Sequence, residues 1–257
     1  MKRYYKLLAA ITMLSVVMFF TPLSAQAAVN FVQNVGKAPG TVTSTTLAFT
    51  SNNTAGNFIA VGVWLDASGR TVTVTDSVGN TYALAKRQAN TTNVFETFIL
   101  YAMNIGGGAN TLTISIDGAA AVMRVIQYEF SGVALTNALD QTAGAEGTGT
   151  AVDSGSVVTG ENNELIFVVG GSFTNVAWTA GTNYLNLLQI AAGAGKVAGE
   201  WQNLATAGSI SGTFTLGASA SWTGAIATFK SSSTATHAKV TILGGKTTIT
   251  GGKVIIN

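Results

Sequence analysis

Strand-length segments with period-two alternation follow one another along most of this chain, and beyond residue 22 Pro39 is the only proline available to interrupt them. TVTSTTLAF (41–49), NFIAVGVWL (57–65), RTVTVTD (70–76), NVFETFILYAM (93–103), NTLTISID (110–117) and VMRVIQYEFSG (122–132) read as strands. So do ELIFVVGGSF (164–173), KVAGEWQNL (196–204) and SGTFTLGASASWTGAIATFK (211–230), the last as two strands broken near Gly217. All are rich in Val, Ile, Thr, Phe and Tyr and are punctuated by Gly, Asn, Asp and Ser. Only NYLNLLQIAAGAG (183–195) suggests a 3.6-residue apolar stripe. Roughly ten to fourteen strands without crossover helices imply antiparallel pairing, and at this length two packed sheets are the economical arrangement. The expectation is an all-β fold: a single antiparallel β-sandwich over 28–230. A jelly roll is the first choice of topology, followed by a concanavalin-like and then an immunoglobulin-type sandwich. Two immunoglobulin-type domains in tandem, divided near 135–160, account for the strand count equally well, and TAGAEGTGTAVDSGS (142–156) is the one internal stretch with linker composition. The single domain is preferred because no internal sequence repeat connects the halves.

The N-terminus bounds the compartment. Lys2, Arg3 and Lys6 precede an apolar run from Leu7 to Phe20, and Ala25-Gln26-Ala27 supplies a small-residue cleavage pattern. That is the three-part form of a secretory signal peptide, 1–27, with an apolar run shorter than the ~20 residues a spanning helix needs. The mature chain is expected to start at Ala28, outside the cytoplasm, with no membrane span. Removing Lys2, Arg3 and Lys6 from the 13 basic residues leaves ten against 11 acidic ones, a net charge of −1. Such a balance excludes the basic stripe of a nucleic-acid binder. The chain has no cysteine, so a secreted form must hold together by core burial.

Four segments occur in order over 70–230: VTDSVGNTYAL, LYAMNIGGGANTLTISI, VIQYEFSGV with ALDQTAG, and a closing WTGAIATFK. Together they resemble a widespread group of secreted bacterial β-sandwich domains of unassigned activity. The resemblance implies fold and secretion and favours one domain; it carries no catalytic residue across.

Candidate chemistry is narrowed by elimination. The only histidine is His237, outside the sandwich, which removes Ser-His-Asp and Cys-His sites and the usual zinc or copper sites. Neither a phosphate loop nor a dinucleotide fingerprint is present. Glu96, Glu129 and Glu200 sit inside strands, where acids are unusual. Two of them in one cleft would make a glycosidase pair, whereas solvent exposure or pairing with Arg124 or Lys86 would make them structural. Asp76 and Asn80 in VTDSVGNTYAL offer oxygens to calcium, the one cofactor considered. Two side chains fall far short of the six to eight oxygens calcium takes, so a hairpin turn with Asp76 bonding the local backbone is the preferred reading. Phe173, Trp178 and Tyr184 lie in or near a turn-rich stretch and are the candidate glycan-stacking platform. The competing reading has Trp178 capping the core.

From 231 to 238 the chain reads as a linker, and KVTILGGKTTITGGKVIIN (239–257) follows. Gly-Gly links are hairpin signals, and folding on both pairs gives a three-stranded β-meander. One face of it carries Val240, Ile242, Ile249, Val254 and Ile256 together with Thr247. Three strands with nothing behind them are marginal in water, so this face must cover the sandwich, meet a second copy or meet a surface. The expected role is a non-catalytic extracellular module that binds glycan or a cell-surface component in adhesion. The alternatives are a structural subunit self-associating through the tail and a carboxylate-pair glycosidase.

Overall fold

The computed structural model describes residues 25–234. The tail residues Val240, Ile242, Ile249, Val254 and Ile256, and all but the end of the expected signal peptide, lie outside the described residues. Sixteen strands are found among them. They are β1 (Ala25–Gln26), β2 (Asn30–Val42), β3 (Ser44–Ala48), β4 (Phe58–Leu65), β5 (Val72–Asp76), β6 (Ala83–Asn90), β7 (Phe95–Ala102) and β8 (Thr111–Ile116). The second series is β9 (Ala121–Ser131), β10 (Leu139–Val158), β11 (Glu164–Ser172), β12 (Trp178–Ala180), β13 (Leu185–Ala191), β14 (Lys196–Leu204), β15 (Ser209–Phe229) and β16 (Ser233–Thr234). The fold is all-β, and every pairing from β2 to β15 is antiparallel.

The sheet orders contain a repeat that the sequence does not display. In the first half a five-stranded sheet runs β2-β9-β4-β7-β6 and a three-stranded sheet runs β3-β8-β5. In the second half the sheet runs β10-β15-β11-β14-β13, with β12 on β15. Strands β10 and β15 are long enough to serve twice. Leu139–Gly149 pairs with Ala220–Phe229, and Ala151–Val158 pairs with Ser209–Thr215. Leu216 to Ser219 fall opposite the single residue Thr150, a bulge large enough to turn a corner. Counting each long strand as two, the second half repeats the first strand for strand, and each half has jelly-roll order. The sandwich is thus built twice within one compact unit, Gln26–Thr234.

Three cores result. The central one lies between the two large sheets and holds Phe58, Trp64, Phe95, Tyr128 and Phe130 from the first half against Phe167, Trp201 and Phe229 from the second. A second core fills the space between the five-stranded sheet and β3-β8-β5, with Val61, Val63, Phe98 and Leu100 against Leu112 and Ile114. The third is enclosed where the far parts of β10 and β15 fold over β11 and β14, with Phe214, Leu216 and Trp178 against Ile166, Val168 and Ile226. Layer position explains the residue pattern. Strands β4, β7 and β11 are covered on both faces and are buried throughout, so FIAVGVWL carries no polar alternation. The outer strands β3 and β8 have one wet face and alternate strictly.

Two local expectations are corrected and a third is met in modified form. Residues 142–156 are not a linker but most of β10, because paired Gly, Thr and Ser make a serviceable edge strand when their carbonyls and N–H groups bond to β15. Residues 211–230 are continuous as β15, but their pairing does divide near Gly217, where Leu216 to Ser219 form the corner bulge. Residues 183–195 form no helix. Leu188 to Ala191 pair with Lys196 to Gly199, and their apolar side chains meet the central core from a twisted edge.

Candidate functional site

The three strand carboxylates do not meet. Glu129 is opposite Ile59 and Glu96 opposite Leu65, on the two strands that flank β4. Six residues of extended chain separate those positions by ~20 Å, twice the span of a hydrolytic pair. Glu200 is on β14 in the other large sheet, opposite Val168. Each acid has its own structural partners. Glu129 is fully buried. Its Oε2 accepts from Gln33 Nε2 and Asn53 Nδ2, each at 2.7 Å, and its Oε1 from Asn57 Nδ2 at 2.7 Å and Thr54 N–H at 2.9 Å. Four donors saturate the carboxylate and fix the 51–57 loop to β9. Glu96 pairs with Arg87, rather than Arg124 or Lys86, and accepts from Gly69 N–H. The glycosidase reading of Glu96, Glu129 and Glu200 therefore fails on geometry.

Glu200 has the most perturbed carboxyl. Its Oε2 accepts from Gly181 N–H at 3.0 Å and its Oε1 has no partner. Burial pushes its pKa from 4.5 to about 8, against the smaller opposing effect of the Gly181 bond. The folded protein thus keeps a proton between about pH 4.5 and pH 8 that the unfolded chain has released. Stability from this site is complete below that window and falls as pH rises through it, by about 5 kcal/mol at most. Urea unfolding of Glu200→Gln at pH 5 and pH 8 is expected to show a smaller loss on raising the pH than the parent protein does. Equal pH dependence in the two would place the effect elsewhere.

Asp76 and Asn80 form a turn rather than a cation site. Asp76 Oδ1 accepts from the N–H groups of Val78, Gly79 and Asn80, while Oδ2 accepts from Asn80 Nδ2, Tyr82 Oη and Asn110 Nδ2. Burial raises its pKa, but the bonds from Asn110, Asn80 and Tyr82 outweigh it and hold the carboxyl below the usual value. Asn80 Oδ1, the other oxygen expected to face calcium, accepts from Gly106 N–H at 2.8 Å. Every oxygen of the pair is turned to a donor, and no group of three or more acids or histidines suited to a metal occurs among the described residues. Chelation with EDTA is expected to leave the melting temperature unchanged; a drop reversed by calcium would restore the metal reading.

The aromatic platform is also absent. Trp178 is buried in the third core, edge-on to Phe214, with Nε1 donating to Ser172 Oγ. Tyr184 is buried in the same core and donates to Ser211 O. Phe173 packs instead at the central core beside Phe95, on the opposite face of the sheet. The turn-rich sequence around Trp178 is exposed at Thr174, Asn175, Ala177, Thr182 and Asn183, but the Trp178 and Tyr184 rings turn inward from it.

What faces outward in an ordered way is the wet side of β3-β8-β5. Register places Ser44, Ser115 and Thr73 in one row and Thr46, Thr113 and Thr75 in the next. Ser44, Thr46, Thr73 and Thr75 are exposed, and Thr113 and Ser115 are half-buried between them. Strand geometry spaces these hydroxyls ~4.8 Å across the sheet and ~6.8 Å along it. The three strands carry one charged residue, Asp76, whose carboxylate is already consumed. The matching outer part of the second half carries Thr179 and Thr215 side by side, with Thr213 next to Asp153. Alternating Thr in RTVTVTD and NTLTISID is the sequence signal for this face, but alternation alone does not reveal that three such strands align. Two cations are also buried, Arg124 without any of the strand acids as partner and Lys196 without a sequence signal. Arg124 donates to the carbonyls of Met123, Ala192 and Ala194, and Lys196 to Val176 O and Gln189 Oε1. Both fasten hairpins of the second half, and burial lowers both pKa values. No known protein family matches the chain, and neither curated proteins nor solved structures give a match.

Proposed function

We propose that this chain is a secreted, non-catalytic module that adheres to an extracellular glycan surface through the hydroxyl face of β3-β8-β5. Secretion is supported by the leader pattern of residues 1–27. The observation that carries the binding role is the in-register Ser/Thr array. Six hydroxyls, of which Ser44 and Ser115 bond each other at 2.9 Å and the four Thr complete the array, stand on a sheet of low charge backed by a full core. Such a face suits a neutral, hydroxyl-bearing polymer, whose many weak contacts add when the polymer is itself immobile. Against catalysis stand the separate structural duties of Glu96, Glu129 and Glu200. The mature protein is expected to be retained on at least one member of a panel of insoluble polysaccharides and to release no soluble sugar from it. Release of reducing ends would return the protein to the hydrolases.

A further inference from the structure

We infer that Lys230 and Asp140 form an intramolecular amide cross-link, by condensation of the lysine amine with the aspartate carboxyl beside the buried acid Glu164. The inference does not depend on the adhesive reading. It rests on three neighbouring strands, in the order β10-β15-β11. Leu139, Phe229 and Leu165 from their adjoining ends belong to the central core. Asp140, Lys230 and Glu164, one residue away in each case, therefore fall on the opposite face at the same end of the sheet.

The constellation contains each group an amide condensation requires. The nucleophile is Lys230, whose Nζ stands 4.0 Å from Asp140 Oδ1. Its backbone is held from both sides, with its N–H on Ala138 O at 2.8 Å and Ala134 N–H on its carbonyl at 2.9 Å. The electrophile is the Asp140 carboxyl. Its Oδ2 accepts from Gly160 N–H at 2.8 Å, placing a backbone donor where negative charge develops on addition. The acid is Glu164, fully buried on its strand. Its Oε1 accepts from Glu161 N–H at 2.9 Å, and its Oε2 has no partner. Burial first, and then the neighbouring Asp140 charge, raise its pKa despite bonds from Thr228 and Glu161. Glu161, the remaining charged group here, lies 3.8 Å from Lys230 Nζ; its bond from Gln26 Nε2 belongs to the uncleaved chain, because Gln26 precedes the expected start at Ala28.

The repeated topology supplies an internal comparison. The registers Phe31↔Phe130 with Phe58↔Phe130, and Leu139↔Phe229 with Leu165↔Phe229, align the two halves. Val32, Ser131 and Asn57 of the first half then take the places of Asp140, Lys230 and Glu164. All three positions depart together, and only in the second half do an acid, an amine and a second acid converge.

The chemistry closes on itself. The Lys230 ammonium loses one proton to the Asp140 carboxylate, and the freed Nζ lone pair forms a bond to Cγ. Gly160 N–H steadies the resulting oxyanion on Oδ2. Glu164 donates its proton to the departing Oδ1 and recovers one from the nitrogen, so it is unchanged at the end. The Cγ–Oδ1 bond breaks and one water leaves. One ammonium and one carboxylate become one amide and one water, with no oxidant, nucleotide or second substrate consumed. The bond would join the start of β10 to the residue after β15, closing the second half on itself just before the chain leaves for its tail.

Intact-mass measurement of the purified mature protein tests this directly. The expected mass is one water below that of the sequence, and proteolysis should yield a branched peptide joining the Asp140 and Lys230 segments. Lys230→Arg and Asp140→Ala should each restore the full mass, and Glu164→Gln should slow or abolish the loss. A parent protein at full sequence mass after prolonged incubation overturns the proposal, and it does so whether or not any variant folds. Loss of water mapped to other residues overturns it equally.

Discussion

Glu129→Ala is expected to unfold the protein or bring it to the edge of unfolding. The substitution removes one carboxylate and orphans four donors at once: Gln33, Asn53 and Asn57 side chains and Thr54 N–H. Asn53, Asn57 and Gln33 are themselves buried, so water cannot easily replace the lost acceptor. Each orphaned group costs about 1–3 kcal/mol, so a loss of about 5 kcal/mol is the conservative expectation, comparable with the entire stability of many domains. Glu129→Gln should be less severe but still costly, because its amide NH2 would face donors rather than acceptors. Urea midpoints of the two variants against the parent decide the matter. A loss under about 1 kcal/mol in Glu129→Ala would mean the 51–57 loop is not held by this carboxylate.

The second large effect is expected at Gly195, where the two halves lock together. This residue has φ 84°, and a Cβ built on it would overlap the buried ring of Trp64. That ring has little room to retreat. It is almost fully buried, and the Arg124 guanidinium lies 6.0 Å from its centroid. Arg124 is in turn tied to the carbonyls of Ala192 and Ala194, on the same hairpin as Gly195. Gly195→Ala should therefore cost about 3 kcal/mol or more, from left-handed strain plus overpacking. Gly193→Ala is the control: its φ is 64°, but nothing lies within 4 Å of its added Cβ. It should lose only about 1 kcal/mol, for the backbone alone. Equal losses in the two variants, read by thermal or urea unfolding, would contradict a close approach of the 192–195 hairpin to Trp64.

Which parts of this architecture the sequence reveals follows from what covers each strand. β14 is legible to the residue, and β4, β7, β8 and β9 to within two residues at either end, because each carries an apolar run or a clear alternation. β2, β6, β10, β12 and β13 are not legible as strands in the sequence. They are edge or corner strands whose identity comes from their partners' hydrogen bonds rather than from their own apolar content. The duplication was invisible for a related reason. Jelly-roll order is a property of pairing, and Glu164 can stand where Asn57 stands without altering it. For the strand acids and for Trp178 the sequence leaves two readings open, a cleft or an enclosed structural place, and only layer position decides between them. In a stack of four layers nearly every strand face is interior, so Glu129 and Trp178 are both enclosed. Asp140 and Lys230 lie in ALDQTAG and WTGAIATFK, two segments conspicuous from the outset, but nothing in either predicts that they adjoin.

Retention of the mature protein on insoluble polysaccharide, with and without charge placed on the outer sheet, tests the central claim most directly. Thr46→Lys, Thr75→Lys and Thr113→Lys in combination interrupt one row of the hydroxyl array at exposed or half-buried positions, where substitutions shift stability by only about 0.5 kcal/mol each. The account predicts that the parent is retained and that the triple variant, still folded, loses affinity by about tenfold or more. A parent that is retained on no polysaccharide of the panel, or a triple variant retained as well as the parent, would contradict it.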